Sequence, residues 1–120
     1  MKEINIDGTI YVPKDEVTGF QFETCDDMYY CVIRTFSAGV HAGYVAKRDG
    51  KEVLLYNSRR LWKWAGAFTL SEIAVNGVSK PEECRFATTL PEIILTEAIE
   101  IIKCTEKARR SIEEVETYEP

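Results

Sequence analysis

The chain lacks most of what catalysis draws on. It has 120 residues and a single histidine, His41, and no nucleophile or orienting partner is signalled beside it. Four cysteines, Cys25, Cys31, Cys84 and Cys104, are scattered, and none forms a C-x-x-C pair. A metal site wants closely spaced ligands, and His41 stands apart from all four, so neither a metal nor another cofactor is expected. Thiols spread in this way read as buried or idle in a reducing compartment. A Cys25–Cys31 or Cys84–Cys104 disulfide would require an oxidising one. The G-K-[ST] of a phosphate-binding Walker loop is missing. The expectation is a protein with no catalytic residues and no enzymatic turnover.

Proline and glycine are scarce, at 4 and 7 residues, which argues against wholesale disorder. No apolar run approaches a membrane span. The start, MKEINIDGTIYV, carries early acids and no apolar core of signal-peptide type, so the expected location is cytoplasmic. The acidic pairs Asp26-Asp27, Glu82-Glu83 and Glu113-Glu114 read as solubilising charge, not as acid/base pairs.

What is present is a compositionally ordinary globule, 45% hydrophobic and 29% charged, with an uneven charge distribution. The net charge of −5 argues against duplex nucleic acid as a partner. Between Arg34 and Trp64, however, seven lysines and arginines face two acids, a local +5 that leaves −10 for the rest. The middle of the chain therefore attracts a small anion while the whole repels polyanions.

Local patterns assign the fold. INIDGTIYVP alternates and turns at Asp7-Gly8, a hairpin or edge strand ended by Pro13, and strand character is weak at Phe20–Phe22. MYYCVIRTF is a strand; Gly39 and Gly43 bracket a bend; Tyr44–Lys47 resumes the strand. Asp49-Gly50 between strand patterns reads as a two-residue hairpin turn into VLLY and onward into SRRLWKW. Thr69 with Glu72 forms a capping box and Gly77 closes a short helix over 70–76. EIILTEAIEIIKC gives two strands broken near Thr96–Ala98, and Thr105 opens a helix over 106–115 with Ala108, Ile112 and Val115 on one face. That face is a candidate for packing across a subunit interface. The order predicts an α+β, mostly β fold: a small, strongly bent antiparallel β-barrel of SH3 or Sm type with an inserted and a C-terminal helix. A single domain is expected over 1–120, with 1–29 an N-terminal strand or hairpin extension, 30–115 the barrel and helices, and 116–120 a loose tail.

The stretch from about Val32 to Ile112 resembles a family of small proteins of unknown function common in bacteriophages and prophages. The residues that carry the likeness are R-x-x-S-A-G-V (Arg34, Ser37, Ala38, Gly39, Val40), the R-R segment with its W-x-W, and the closing I-E-I-I. Ser58 stands where the family often has alanine. The resemblance implies a phage or prophage origin, and hence the cytoplasm of a bacterial host. It implies no function.

The hexapeptide RRLWKW, residues 59–64, concentrates both tryptophans and a pair of arginines. On a strand, Arg60, Trp62 and Trp64 share one face. An arginine fork can hold phosphate and an exposed ring can stack a base; the same residues also serve as protein-interface anchors or as core. SAGVHAG reads as a tight bend, or as backbone brought close to an oxyanion, and the tyrosines Tyr29, Tyr30 and Tyr44 as strand residues with one wet end. The expected ligand residues are Arg34, Ser37, His41, Arg59, Arg60, Trp62 and Trp64, around a small anionic, nucleotide-like ligand, in a chain expected to form a homo-oligomer. A phage structural or protein-interaction role and single-stranded nucleic-acid binding are the alternatives.

Overall fold

In a computed structural model of the chain the described residues are Ile4–Ile6, Thr9–Tyr11 and 21–119. β1 (Ile4–Ile6) and β2 (Thr9–Tyr11) pair antiparallel as a sheet of their own. The Asp7-Gly8 turn, Pro13 and Phe20 lie outside the described residues. The elements that follow are β3 (Thr24–Cys25), β4 (Met28–Thr35), β5 (Val40–Asp49), β6 (Glu52–Lys63), α1 (Leu70–Asn76), β7 (Arg85–Phe86), β8 (Leu90–Leu95), β9 (Ala98–Lys103) and α2 (Glu106–Glu114).

β3 to β9 form one antiparallel sheet of seven strands. β4, β5 and β6 are its centre; β9 and β3 border β4, and β8 and β7 border β6. The outer strands β8 and β9 lie on opposite edges yet are joined by Thr96-Glu97 alone. Three Cα steps of about 3.8 Å cannot cross a flat sheet, so the sheet must curl until both edges reach one corner. That corner is pinned from two sides, where Phe36 N donates to Glu97 O (2.9 Å) and Ala98 N to Lys51 O (3.0 Å). The result is a half-barrel, as the alternation of strands and short turns predicts.

The curl separates two cores. Inside it Cys31, Ile33, Val53, Leu55, Leu95 and Ala98 pack together. On the outer face Tyr30, Val32, Ala42, Tyr44, Leu61 and Phe86 pack under the helices, against Ile73 and Ala74 of α1 and Ala108 and Ile112 of α2. Each fully buried aliphatic chain contributes about 1.5–3 kcal/mol. The apolar stripe of α2 is thus taken up by the chain's own core, so it does not supply the intersubunit face considered above. Tyr30 has no wet end either: it is fully buried, and its hydroxyl has no partner among the described residues.

The helices begin where their caps place them. Thr69 Oγ1 accepts from Glu72 N (3.1 Å) and Glu72 Oε2 accepts from Phe68 N (2.9 Å). Thr105 Oγ1 accepts from Ala108 N (3.1 Å) and donates to Val75 O (2.6 Å), so one hydroxyl starts α2 and ties it to α1. The hairpin turn lies one residue later than the Asp-Gly pattern suggests. Asp49 pairs with Glu52, which leaves Gly50 and Lys51 as the loop, and only Gly50 takes the positive φ, 59°. Gly43 is not at a bend but inside β5. All four cysteines are free thiols, Cys25 exposed and the others buried. Among the described residues no helix is long and apolar enough to cross a membrane.

Candidate ligand site

The site depends on a bulge between β5 and β6. Ala42 pairs with Arg59 and Tyr44 with Tyr56, so Gly43 alone faces both Asn57 and Ser58. Asn57 absorbs the extra residue with a φ of 50°. The strands are close here: a Cβ on Gly43 would fall 3.0 Å from Ser58 Cα and from Tyr56 O, so any other residue would push the β6 backbone away by a few tenths of an ångström. The extra residue changes which side chains point inward. Before it, Val53 and Leu55 face the inside of the curl; after it, Ser58, Arg60 and Trp62 line the inner side, while Leu61 joins the helix-covered core.

His41 pairs with Arg60 across the strands, and with Ser58, Trp62, Leu90 and Ile93 they line a cleft of about 220 Å³ at one end of the inner core. The Arg60 guanidinium lies over the Trp62 ring, Cζ 5.0 Å from its centroid, and the ring is 64% exposed. His41 is buried, with Nε2 2.9 Å from Ala38 O. A carbonyl only accepts, so Nε2 carries the proton and Nδ1 is left as an acceptor. Burial chiefly, and the Arg60 charge in addition, push the His41 pKa below its ordinary value against the opposing Ala38 hydrogen bond, which keeps the ring neutral at pH 7. Ser58 is 1% exposed, and its Oγ has no hydrogen-bond partner among the described residues. Past Trp62 a second cleft, of about 510 Å³, is bordered by Arg85, Thr88, Thr117 and Tyr118, with Arg85 stacked over Tyr118 at 4.9 Å.

Of the residues that the sequence singled out, His41, Arg60 and Trp62 come together, with His41 buried at the floor. Arg59 does not join them. It is 3% exposed on the helix-covered side, where Nε donates to Ala87 O (2.9 Å) and Nη1 to Ile112 O (3.0 Å) and Val115 O (2.6 Å), above the Phe86 ring. Every one of these acceptors is backbone, so Arg59 fastens the end of α2 to the sheet. Trp64 leaves the shared face because β6 ends at Lys63; its ring packs on the helix-covered core. Arg34 pairs with Val40, on the opposite face from Ile33 and His41, and forms an ion pair with Glu100. Ser37 is exposed in the loop between β4 and β5 and does not line the cleft. Ser58, Leu90 and Ile93 were missed. Ser58 had a signal, since it precedes Arg60 and Trp62 at the strand period of two; the partners from β8 come from a distant segment and had none.

These features define a helix-backed half-barrel with an arginine–tryptophan cleft at one end of its inner face. The chain belongs to the family described as a domain of unknown function (DUF6948), whose model matches residues 28–112. That span holds β4 to β9 and all the residues that line the smaller cleft. No curated protein and no solved structure is significantly similar to the chain.

Proposed function

We propose that the chain binds a small phosphorylated, nucleotide-like ligand in the cleft beside Trp62 and does not turn it over. The observation that carries this reading is the Arg60 guanidinium stacked on an exposed tryptophan over a cleft that holds His41 and Ser58. A guanidinium fork offers phosphate two parallel hydrogen bonds. An exposed ring stacks a base for about 1–3 kcal/mol. Binding without turnover fits the lack of a nucleophile–base pair: Ser58 Oγ has no hydrogen-bond partner among the described residues, so it is not joined to the acceptor nitrogen of His41. The resemblance to small phage and prophage proteins supports a phage accessory role, and sequestering a nucleotide signal of host antiphage defence suits a binder of this kind. The test is calorimetry and thermal melting of the full chain with a panel of nucleoside mono-, di- and cyclic phosphates. Saturation at about a hundred times the dissociation constant adds about 2.7 kcal/mol of stability. Arg60→Ala should abolish that gain; if no compound of the panel binds, the reading fails.

A second reading rests on the Arg85–Tyr118 pair beyond Trp62. Two guanidinium–aromatic pairs bordering adjoining clefts suit successive bases of a single strand. Short oligonucleotides that bind far more tightly than any mononucleotide would favour it.

A further inference from the structure

Three polar side chains of the cleft, His41, Ser58 and the exposed Thr88, are not used by the phosphate-and-base reading, and of these Ser58 is the one left buried without a partner. Its Oγ is buried and unpartnered, on the same inner face as Arg60 and Trp62, and it lines the same cleft as His41. A buried hydroxyl without a partner costs about 1–3 kcal/mol, so a ligand that supplies the missing bond regains that amount. The fold also limits what can relieve it. Gly43 presses against the Ser58 backbone, and no other residue could replace that glycine without moving the strand. His41 adds a second fixed group: its Nε2–H is held by Ala38, which leaves Nδ1 as an acceptor. The floor therefore offers one hydroxyl able to donate or accept and one nitrogen able only to accept. Phosphate oxygens satisfy the first and not the second. Neighbouring alcohol groups satisfy both, because each O–H donates and accepts.

We infer that the His41–Ser58 floor reads the 2′,3′-diol of a ribose, and that the cleft selects ribonucleotides over deoxyribonucleotides. This rests on the nucleotide reading of the cleft and extends it to the sugar. Phosphate lies on Arg60, the base on Trp62, and the sugar between them, where the small volume of the cleft suits one ring. Ser58→Ala removes the hydroxyl without adding bulk at the crowded bulge, so the fold is expected to hold.

The experiment is calorimetry of the full chain with the four ribonucleoside 5′-monophosphates, their 2′-deoxy and 3′-deoxy analogues, and phenyl phosphate as a sugar-free probe. The expected result is a loss of about tenfold in affinity on removal of either hydroxyl, the scale of one buried hydrogen bond. Ser58→Ala should bring one of the two deoxy analogues within about twofold of the ribo form, while the other, whose missing hydroxyl faces His41, keeps its deficit of about tenfold. Ribo and deoxy forms that bind the native chain equally would overturn the sugar inference and leave the nucleotide reading standing. Failure of every nucleotide and of phenyl phosphate to bind would overturn both. The analogue series on the native chain decides the matter even if Ser58→Ala does not fold.

Discussion

Adjacent arginines in this chain carry opposite consequences, and Arg59→Met against Arg60→Ala tests the difference. Arg59→Met keeps an apolar stem over Phe86 but removes three donated hydrogen bonds, to Ala87 O, Ile112 O and Val115 O. Bonds to a charged group contribute about 1.5–3 kcal/mol each, and their sum is not additive where they share one guanidinium. Two of the bonds lost, to Ile112 O and Val115 O, are buried, so a net loss of about 3–5 kcal/mol follows. For a chain of 120 residues this lowers the melting temperature by about 12–20 °C. Arg60 makes a half-exposed stack on an exposed ring, and its loss costs at most about 0.5 kcal/mol, or about 2 °C. Urea midpoints and thermal melts on the same preparations measure both. An Arg59→Met protein within about 1 kcal/mol of the parent would refute the role of Arg59 as the fastening of α2. Equal losses at the two sites would refute the division of faces made by the bulge.

The tryptophans should divide in the same way: Trp64→Ala lowers stability by about 2–4 kcal/mol in urea titrations, whereas Trp62→Ala leaves it within about 1 kcal/mol and weakens aromatic phosphates more than inorganic phosphate. His41 titrates near 6.5 when unfolded and lower when folded, because burial and Arg60 outweigh its bond to Ala38. The unfolded chain then binds more protons between those two values, so the stability His41 contributes is complete above about pH 6.5 and declines as pH falls towards the folded pKa. Urea midpoints at pH 7.5 and 5.5 should show a smaller drop in His41→Gln than in the parent. Thr105→Ala removes both a cap and a bond to Val75 O, and should cost about 1–3 kcal/mol, with the amides of α1 and α2 losing hydrogen-exchange protection together.

Local chemistry wrote much of this fold openly. The helix starts at Thr69 and Thr105 and the break between β8 and β9 follow from cap residues and strand propensity, which act over a few residues. The site was only half legible, for a reason that sits at one residue. Strict alternation along RRLWKW puts Arg60 with both tryptophans, which requires the strand to persist to Trp64; it ends at Lys63. Alternation counted back from Arg60 reaches Ser58 but not the inward Val53 and Leu55, because Asn57 takes a positive φ and inserts a step. A non-glycine bulge has little signature of its own. Arg59 was misread for a different reason: its partners are carbonyls of α2, more than fifty residues away, and backbone acceptors leave no trace in side-chain composition. The DUF6948 match covers the sheet and the cleft together but brings no chemistry with it.

The most direct test of the account is titration of the full chain with the nucleoside phosphate panel, alongside Arg60→Ala and Trp62→Ala proteins that melt within a few degrees of the parent. The account predicts saturable binding to the parent, no measurable binding to Arg60→Ala, and to Trp62→Ala a loss of about 5- to 150-fold for nucleotides but little for inorganic phosphate. Binding that survives both substitutions unchanged, or no binding by the parent, would contradict it.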